Sequence, residues 1–108
     1  MPPAGFKAEP LLRENLKARE TKQPEEWSRF QAMALLGASL LGQRKYAEAE
    51  PLLLSGYEGM KQRESRISTQ DKPRIKEALE RLAQLYEATS RPDQAAEWKK
   101  KLNEFDKS

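Results

Sequence analysis

Apolar residues recur every three or four positions along most of the chain, a spacing typical of helices with one buried face. We expect a first helix from about Phe6 to Glu20 and a second that Pro24 starts and that runs to about Leu41. Ala8, Leu12 and Leu16 would form the buried face of the first helix. The second would bury Trp27, Phe30, Met33, Leu36, Gly37, Leu40 and Leu41.

Three further helices are predicted after a short turn in which Gly42 is a candidate C-terminal cap. The third starts near Tyr46, the fourth at Pro73 and the fifth near Asp93, and residues 61–72 between the third and fourth are polar and expected to form a loop. Pro10 and Pro51 would both lie inside helices, where proline removes a hydrogen bond and usually bends the axis. Few β-branched residues are present, which argues against a sheet.

The chain also repeats itself. Ala8-Glu9-Pro10-Leu11-Leu12 recurs as Ala49-Glu50-Pro51-Leu52-Leu53, 41 residues later, and a weaker third copy surrounds Ala95. Repeats of this length indicate an array of similar helical units. A proline that recurs at the same place indicates a geometry that tolerates it.

These residues resemble the tetratricopeptide repeat family. The resemblance is carried by Leu36-Gly37, Leu40, Tyr46, Ala49 and Leu53, and again by Leu82-Ala83, Tyr86 and Ala95. The spacing exceeds the family's usual 34 residues, and Tyr46 to Leu53 is similar to the longer variety found in kinesin light chains and in tails of bacterial serine/threonine protein kinases. Pro92 departs from the pattern, because the family has an aromatic residue there.

The resemblance implies an all-α, antiparallel α-α solenoid of about five helices in one domain. Its units would be a half repeat at about 5–22, a repeat at about 24–65 and a repeat at about 72–105. It further implies a protein-interaction scaffold that binds a peptide or helix on its concave face. The residues it places on that face are Gln31, Ala34, Ala38, Leu41, Glu77, Glu80, Arg81, Gln84 and Glu87.

The chemistry of that face would suit an apolar anchor near Ala34 and Ala38 and a basic group near Glu80 and Glu87. The carboxylate clamp of some family members is not expected, because only Arg81 matches its residues. A structural spacer or dimerisation element of a kinase-like multidomain protein is the alternative. Self-association would occur through an end of the array, where the face of Ala8, Leu12 and Leu16 is covered on only one side.

Composition narrows the function further. The chain has no cysteine and no histidine, which excludes thiol chemistry and removes the usual general base and the commonest metal ligand. We therefore expect no enzyme activity and no cofactor or metal. The net charge of +3 comes from interspersed charges, so we expect no nucleic-acid partner. No apolar run is long enough to cross a membrane, and a cytoplasmic location is expected.

Overall fold

The computed structural model describes residues 8–22 and 26–107, and this part of the chain is all-α with no strand. The helices are α1 (Glu9–Lys22), α2 (Trp27–Gly42), α3 (Tyr46–Gln62), α4 (Pro73–Ala88) and α5 (Pro92–Lys107), with a short 3-10 turn at Glu64–Arg66. The predicted all-α fold of five helices is confirmed. The predicted helix starts at Phe6 and Pro24 lie outside the described residues. None of the described helices combines the length and the apolar character that a membrane crossing requires.

Both prolines of the repeated segment are accommodated without ending a helix. Pro10 is the second residue of α1, where the backbone N–H would have no partner within the helix in any case. Pro51 lies inside α3, which continues to Gln62. Pro51 is exposed, so its ring meets solvent instead of a neighbouring helix.

The turns after α2 and α4 have the same hydrogen-bonded geometry. The backbone N–H of Lys45 donates to the Leu40 carbonyl at 2.9 Å, and that of Arg91 donates to the Tyr86 carbonyl at 2.8 Å. A left-handed residue precedes each donor, Arg44 at φ 64° and Ser90 at φ 57°. The prediction that Gly42 caps α2 was wrong: the helix includes Gly42, and Gln43 is its C-cap. With a 46-residue offset, α2–α3 and α4–α5 are thus similar helical hairpins.

Helices α2 and α3 approach closely through glycine. A Cβ atom on Gly37 would lie 2.8 Å from the Leu53 side chain, and one on Gly56 would lie 2.9 Å from the backbone nitrogen of Ala34. A Cβ on Gly59 would overlap atoms of the Phe30 ring. Contacts therefore move backward along α3 as they move forward along α2, which makes the hairpin antiparallel.

Two apolar clusters form the core. The larger joins all five helices around Leu36, Leu40, Leu53, Leu82 and Tyr86. The smaller contains Ala34, Met60, Ile67, Ile75 and Ala78. The predicted loop at 61–72 is polar except at Ile67, which is only 4% exposed. This one apolar side chain fixes the connection between the hairpins to the core.

Candidate functional site

Helices α2 and α4 are the first helices of the two hairpins, and two adjoining cavities lie between them. The open cavity, of about 760 Å³, is lined by Ala38, Leu41, Gly42, Tyr46, Arg81, Gln84, Glu87 and Ala88. The enclosed cavity, of about 40 Å³, is lined by Gln31, Ala34, Leu35, Ala38, Met60, Arg74, Glu77, Ala78 and Arg81. Because Ala38 and Arg81 line both, the cavities form one surface, which we call the α2–α4 groove.

Eight of the nine residues predicted for the concave face line this groove. They are Gln31, Ala34, Ala38, Leu41, Glu77, Arg81, Gln84 and Glu87. The ninth, Glu80, lines neither cavity. Lys76 lies one turn before Glu80 on the same face of α4, and it forms a 3.0 Å ion pair with Asp106 of α5. The hydrogen bond from Lys76 to Asp106 raises the lysine pKa, and Glu80 adds to that rise. Glu80 therefore lies on the side of α4 that faces α5.

The apolar character of the groove comes from a different residue than predicted. Ala34 is 8% exposed, because its backbone is in contact with Gly56 and its side chain belongs to the smaller core cluster. Its neighbour Leu35 is 40% exposed and lines the enclosed cavity. Leu35 is therefore the apolar side chain of α2 that this cavity presents to solvent. The sequence signal was incomplete, because Leu35 and Ala34 both fall outside the predicted buried stripe of α2.

The charges in the groove differ from the sequence expectation as well. Glu77 is paired with Arg74 at 3.1 Å, and Glu87 is paired with Lys99 of α5 at 2.6 Å. The Arg81 side chain, by contrast, forms no hydrogen bond or ion pair with any other described residue. Two basic and two acidic side chains line the groove, so its lining is electrically balanced. The groove therefore offers an unpaired guanidinium and no unpaired carboxylate for a basic group.

Glu9 and Glu50 are the glutamates of the repeated segment, and each binds the turn of the hairpin that follows its own helix. The Glu9 carboxylate of α1 accepts hydrogen bonds from Gln43 at 2.8 Å and Lys45 at 3.3 Å. The Glu50 carboxylate of α3 accepts from Arg91 at 2.8 Å and from the Tyr86 hydroxyl at 2.9 Å. Lys45 and Arg91 occupy equivalent places in the two turns. Glu50 thereby fixes the hairpin that carries α4 against the hairpin that carries α2.

These contacts shift the proton affinities of the groups involved. Hydrogen bonds from Arg13, and then from Gln43, lower the pKa of Glu9 to about 2. The hydrogen bond from Arg91 is the main cause that lowers the pKa of Glu50. Burial, followed by the bond to Glu50, raises the pKa of Tyr86. All three groups keep one charge state at neutral pH, so the contacts that shape the groove are constant there.

An aromatic cluster supports the outer hairpin behind the groove. The Trp98 ring lies edge-on to Tyr57 at 5.3 Å and parallel to Tyr86 at 6.4 Å between centroids. Both neighbours belong to or contact the larger core cluster. Trp98 therefore has a packing role.

Within the described ranges, no group of three or more acidic side chains could hold a metal ion. Comparison with protein-family models, with curated proteins and with solved structures finds no match for the chain. The fold places it in the class of all-α proteins built from similar helical hairpins, with one helix preceding two hairpins. Its candidate site is the groove between the first helices of those hairpins.

Proposed function

We propose that the chain is a non-catalytic protein-interaction module that binds a polypeptide segment in the α2–α4 groove. The observation that carries this proposal is the continuity of the two cavities across Ala38 and Arg81. Binding sites are usually concave, with apolar walls and a few polar groups that fix orientation. Leu35, Leu41 and Tyr46 supply apolar surface here, and Arg81 supplies an unpaired donor.

We further propose that the module is of the tetratricopeptide type with long repeats, as a regulatory or recruiting part of a larger protein. Support comes from the matching turns at Arg44 and Ser90 and from the small residues at the helix crossings. Gly37 and Ala83 are equivalent across the hairpins, and both are buried. The absence of cysteine fits a cytoplasmic setting.

The proposal can be tested by blocking the groove. Peptides are selected on the chain from a library of random dodecapeptides displayed on phage, and their affinities are measured by fluorescence anisotropy. Ala38→Arg places a long side chain between the two cavities and should weaken binding at least about 10-fold. Ala96→Arg, at an exposed position of α5, is the matched control and should bind as the parent does.

If Ala38→Arg keeps a native circular dichroism spectrum and binds all selected peptides unchanged, the groove is not the binding site. Selection of no peptide that depends on Ala38 would have the same meaning. Either result would remove the proposed function while leaving the fold intact.

A second function, dimerisation, is favoured by one observation on α1. Leu12 and Leu16 pack in the larger core cluster, whereas Leu11 is 69% exposed. The face of Ala8, Leu12 and Leu16 that was predicted to self-associate is therefore largely covered by the core. Leu11 is the apolar side chain of α1 that remains exposed for association.

A further inference from the structure

The two cavities of the groove differ in size, and this difference limits what each can take. The enclosed cavity, of about 40 Å³, has room for a group no larger than a small aliphatic side chain. Its walls include Leu35, Met60 and Ala78, so the group it accepts is apolar. The open cavity, of about 760 Å³, can take a large side chain beside Leu41 and Tyr46.

The spacing of the cavities sets the spacing of the two side chains. The α4 residues that line the enclosed cavity precede those that line the open cavity by about seven positions on average. At a rise of about 1.5 Å per residue, the cavities are roughly 11 Å apart. A polyproline II segment rises about 3.1 Å per residue and completes a turn in three residues, so side chains three residues apart point to the same side and lie about 9 Å apart, which is close enough to reach both cavities.

The polar groups between the cavities favour an extended segment over a helix. The side chains of Gln31, Arg81 and Gln84 form no hydrogen bond with any other residue of the described ranges. A guanidinium has five donors and no acceptor, and an amide side chain both donates and accepts. The main chain of an extended segment has free N–H and carbonyl groups, whereas a helix uses its own internally.

Charge favours a neutral acceptor. The groove lining contains Arg74 and Arg81 against Glu77 and Glu87, so it carries no net field that would attract a strongly charged segment. A main-chain carbonyl satisfies the Arg81 donors without adding a charge. The earlier expectation of a basic group near Glu80 and Glu87 does not fit, because Glu87 is paired and Glu80 lies outside the groove.

We infer that the α2–α4 groove holds an extended polypeptide segment in the polyproline II conformation by two side chains three residues apart, with Arg81 donating to a main-chain carbonyl between them. The small apolar side chain fills the enclosed cavity and the larger one fills the open cavity. This inference rests on the proposed function, because it specifies the segment that the same groove would bind.

The probes are the peptides selected from the random dodecapeptide library, restricted to those that Ala38→Arg no longer binds. Their sequences should share a small aliphatic residue and a large apolar or aromatic residue three positions apart, in one direction only. Replacing the small residue by Phe should abolish binding, and no Asp, Glu, Lys or Arg should be required. Groove-dependent peptides without this spacing, or with an obligatory charge, would overturn the inference alone.

The role of Arg81 is tested by a double-mutant cycle. In a synthetic copy of the tightest peptide, the amide that follows each residue between the two anchors is replaced in turn by an ester, whose carbonyl is a weaker acceptor. One such ester should weaken binding to the parent about 10-fold and have little further effect on Arg81→Gln. Arg66→Gln, at an exposed position outside the groove, should behave as the parent.

Two outcomes separate failure of this inference from failure of the proposed function. If Arg81→Gln responds to every ester as the parent does, Arg81 does not bind the main chain and the inference fails while the groove remains a binding site. If no peptide depends on Ala38, the proposed function fails and the inference fails with it.

Discussion

The hydroxyl of Tyr86 donates a 2.9 Å hydrogen bond to the carboxylate of Glu50, which joins α4 of one hairpin to α3 of the other. Arg91 binds the same carboxylate at 2.8 Å and lies 4.6 Å from the Tyr86 ring. Glu9 of α1 binds the turn of the α2–α3 hairpin in a related way. The Glu-Pro pair of the repeated segment therefore has a physical role: the glutamate connects one unit to the next, and the proline is tolerated beside it.

Removing the Glu50 carboxylate should weaken the junction between the hairpins. Glu50→Ala should lower the free energy of unfolding by about 1–2 kcal/mol, because two partners lose a charged acceptor. The matched control is Glu58→Ala, an exposed glutamate on the same helix, which should change stability little. Urea unfolding followed by circular dichroism measures both. Equal stability of the two variants would mean that the Glu50 contacts do not contribute.

The attachment of α1 should depend on pH through Glu9. Because the folded pKa of Glu9 is lowered to about 2, its contribution is fully present above the ordinary carboxyl value and is lost as pH falls through about 2. Glu9→Gln should remove this part of the acid dependence, and Glu14→Gln, at an exposed position of α1, should not. Titration of the Glu9 side-chain carboxyl by NMR gives the direct value. An ordinary pKa for Glu9 would contradict its contacts with Arg13, Gln43 and Lys45.

Replacing the glycines at the α2–α3 crossing should destabilise the fold, and a second substitution should be able to restore stability at Gly59 but not at Gly56. Gly59→Ala and Gly56→Ala should each cost about 1–3 kcal/mol through overpacking. The new Cβ at Gly59 meets the Phe30 side chain, whereas that at Gly56 meets backbone atoms of Phe30 and Ala34. Adding Phe30→Leu should therefore recover part of the loss in Gly59→Ala and none in Gly56→Ala.

Thermal unfolding of the five variants, which are the two glycine variants with and without Phe30→Leu and Phe30→Leu alone, gives the coupling between the sites. Recovery of both glycine variants by Phe30→Leu, or of neither, would show that the helices cross in another register.

Self-association, if it occurs through α1, should depend on Leu11. Sedimentation velocity of the parent over a range of concentrations should show a dimer that grows with concentration, and Leu11→Glu should remain monomeric. Ala47→Glu, exposed on α3, controls for the added charge. A dimer that survives Leu11→Glu would place the contact elsewhere, and a strictly monomeric parent would end the dimerisation proposal.

Helix content and order followed from periodicity, because the buried faces of α2 to α5 have regular spacing and prolines stand at the starts of α4 and α5. The position of the groove also followed, since residues such as Ala38 and Gln84 have the same place in equivalent helices. Periodicity could not predict which neighbouring helix the side chain of Glu80 would face. Glu80 is one position from Arg81, yet it lies toward α5, because α5 packs on that side of α4.

Two other features required three-dimensional contacts. Ala34 and Leu35 are both apolar, and only the close approach of Gly56 shows that Ala34 is used in the core while Leu35 is left in the groove. The pairing of Glu87 with Lys99 depends on how α5 lies against α4. Ion pairs between helices determine which charged side chains remain available to a partner. These pairs cannot be predicted from the order of residues along the chain alone.

The central claim, that a polypeptide segment binds between α2 and α4, is tested most directly by NMR titration. The labelled chain is titrated with the tightest peptide selected from the random library, and backbone amide shifts are recorded. The account predicts the largest changes within residues 31–42 and 74–88, with the Arg81 side-chain signal among them. Changes concentrated in residues 61–72, in α1 or on the outer side of α5, with the groove residues unaffected, would contradict it.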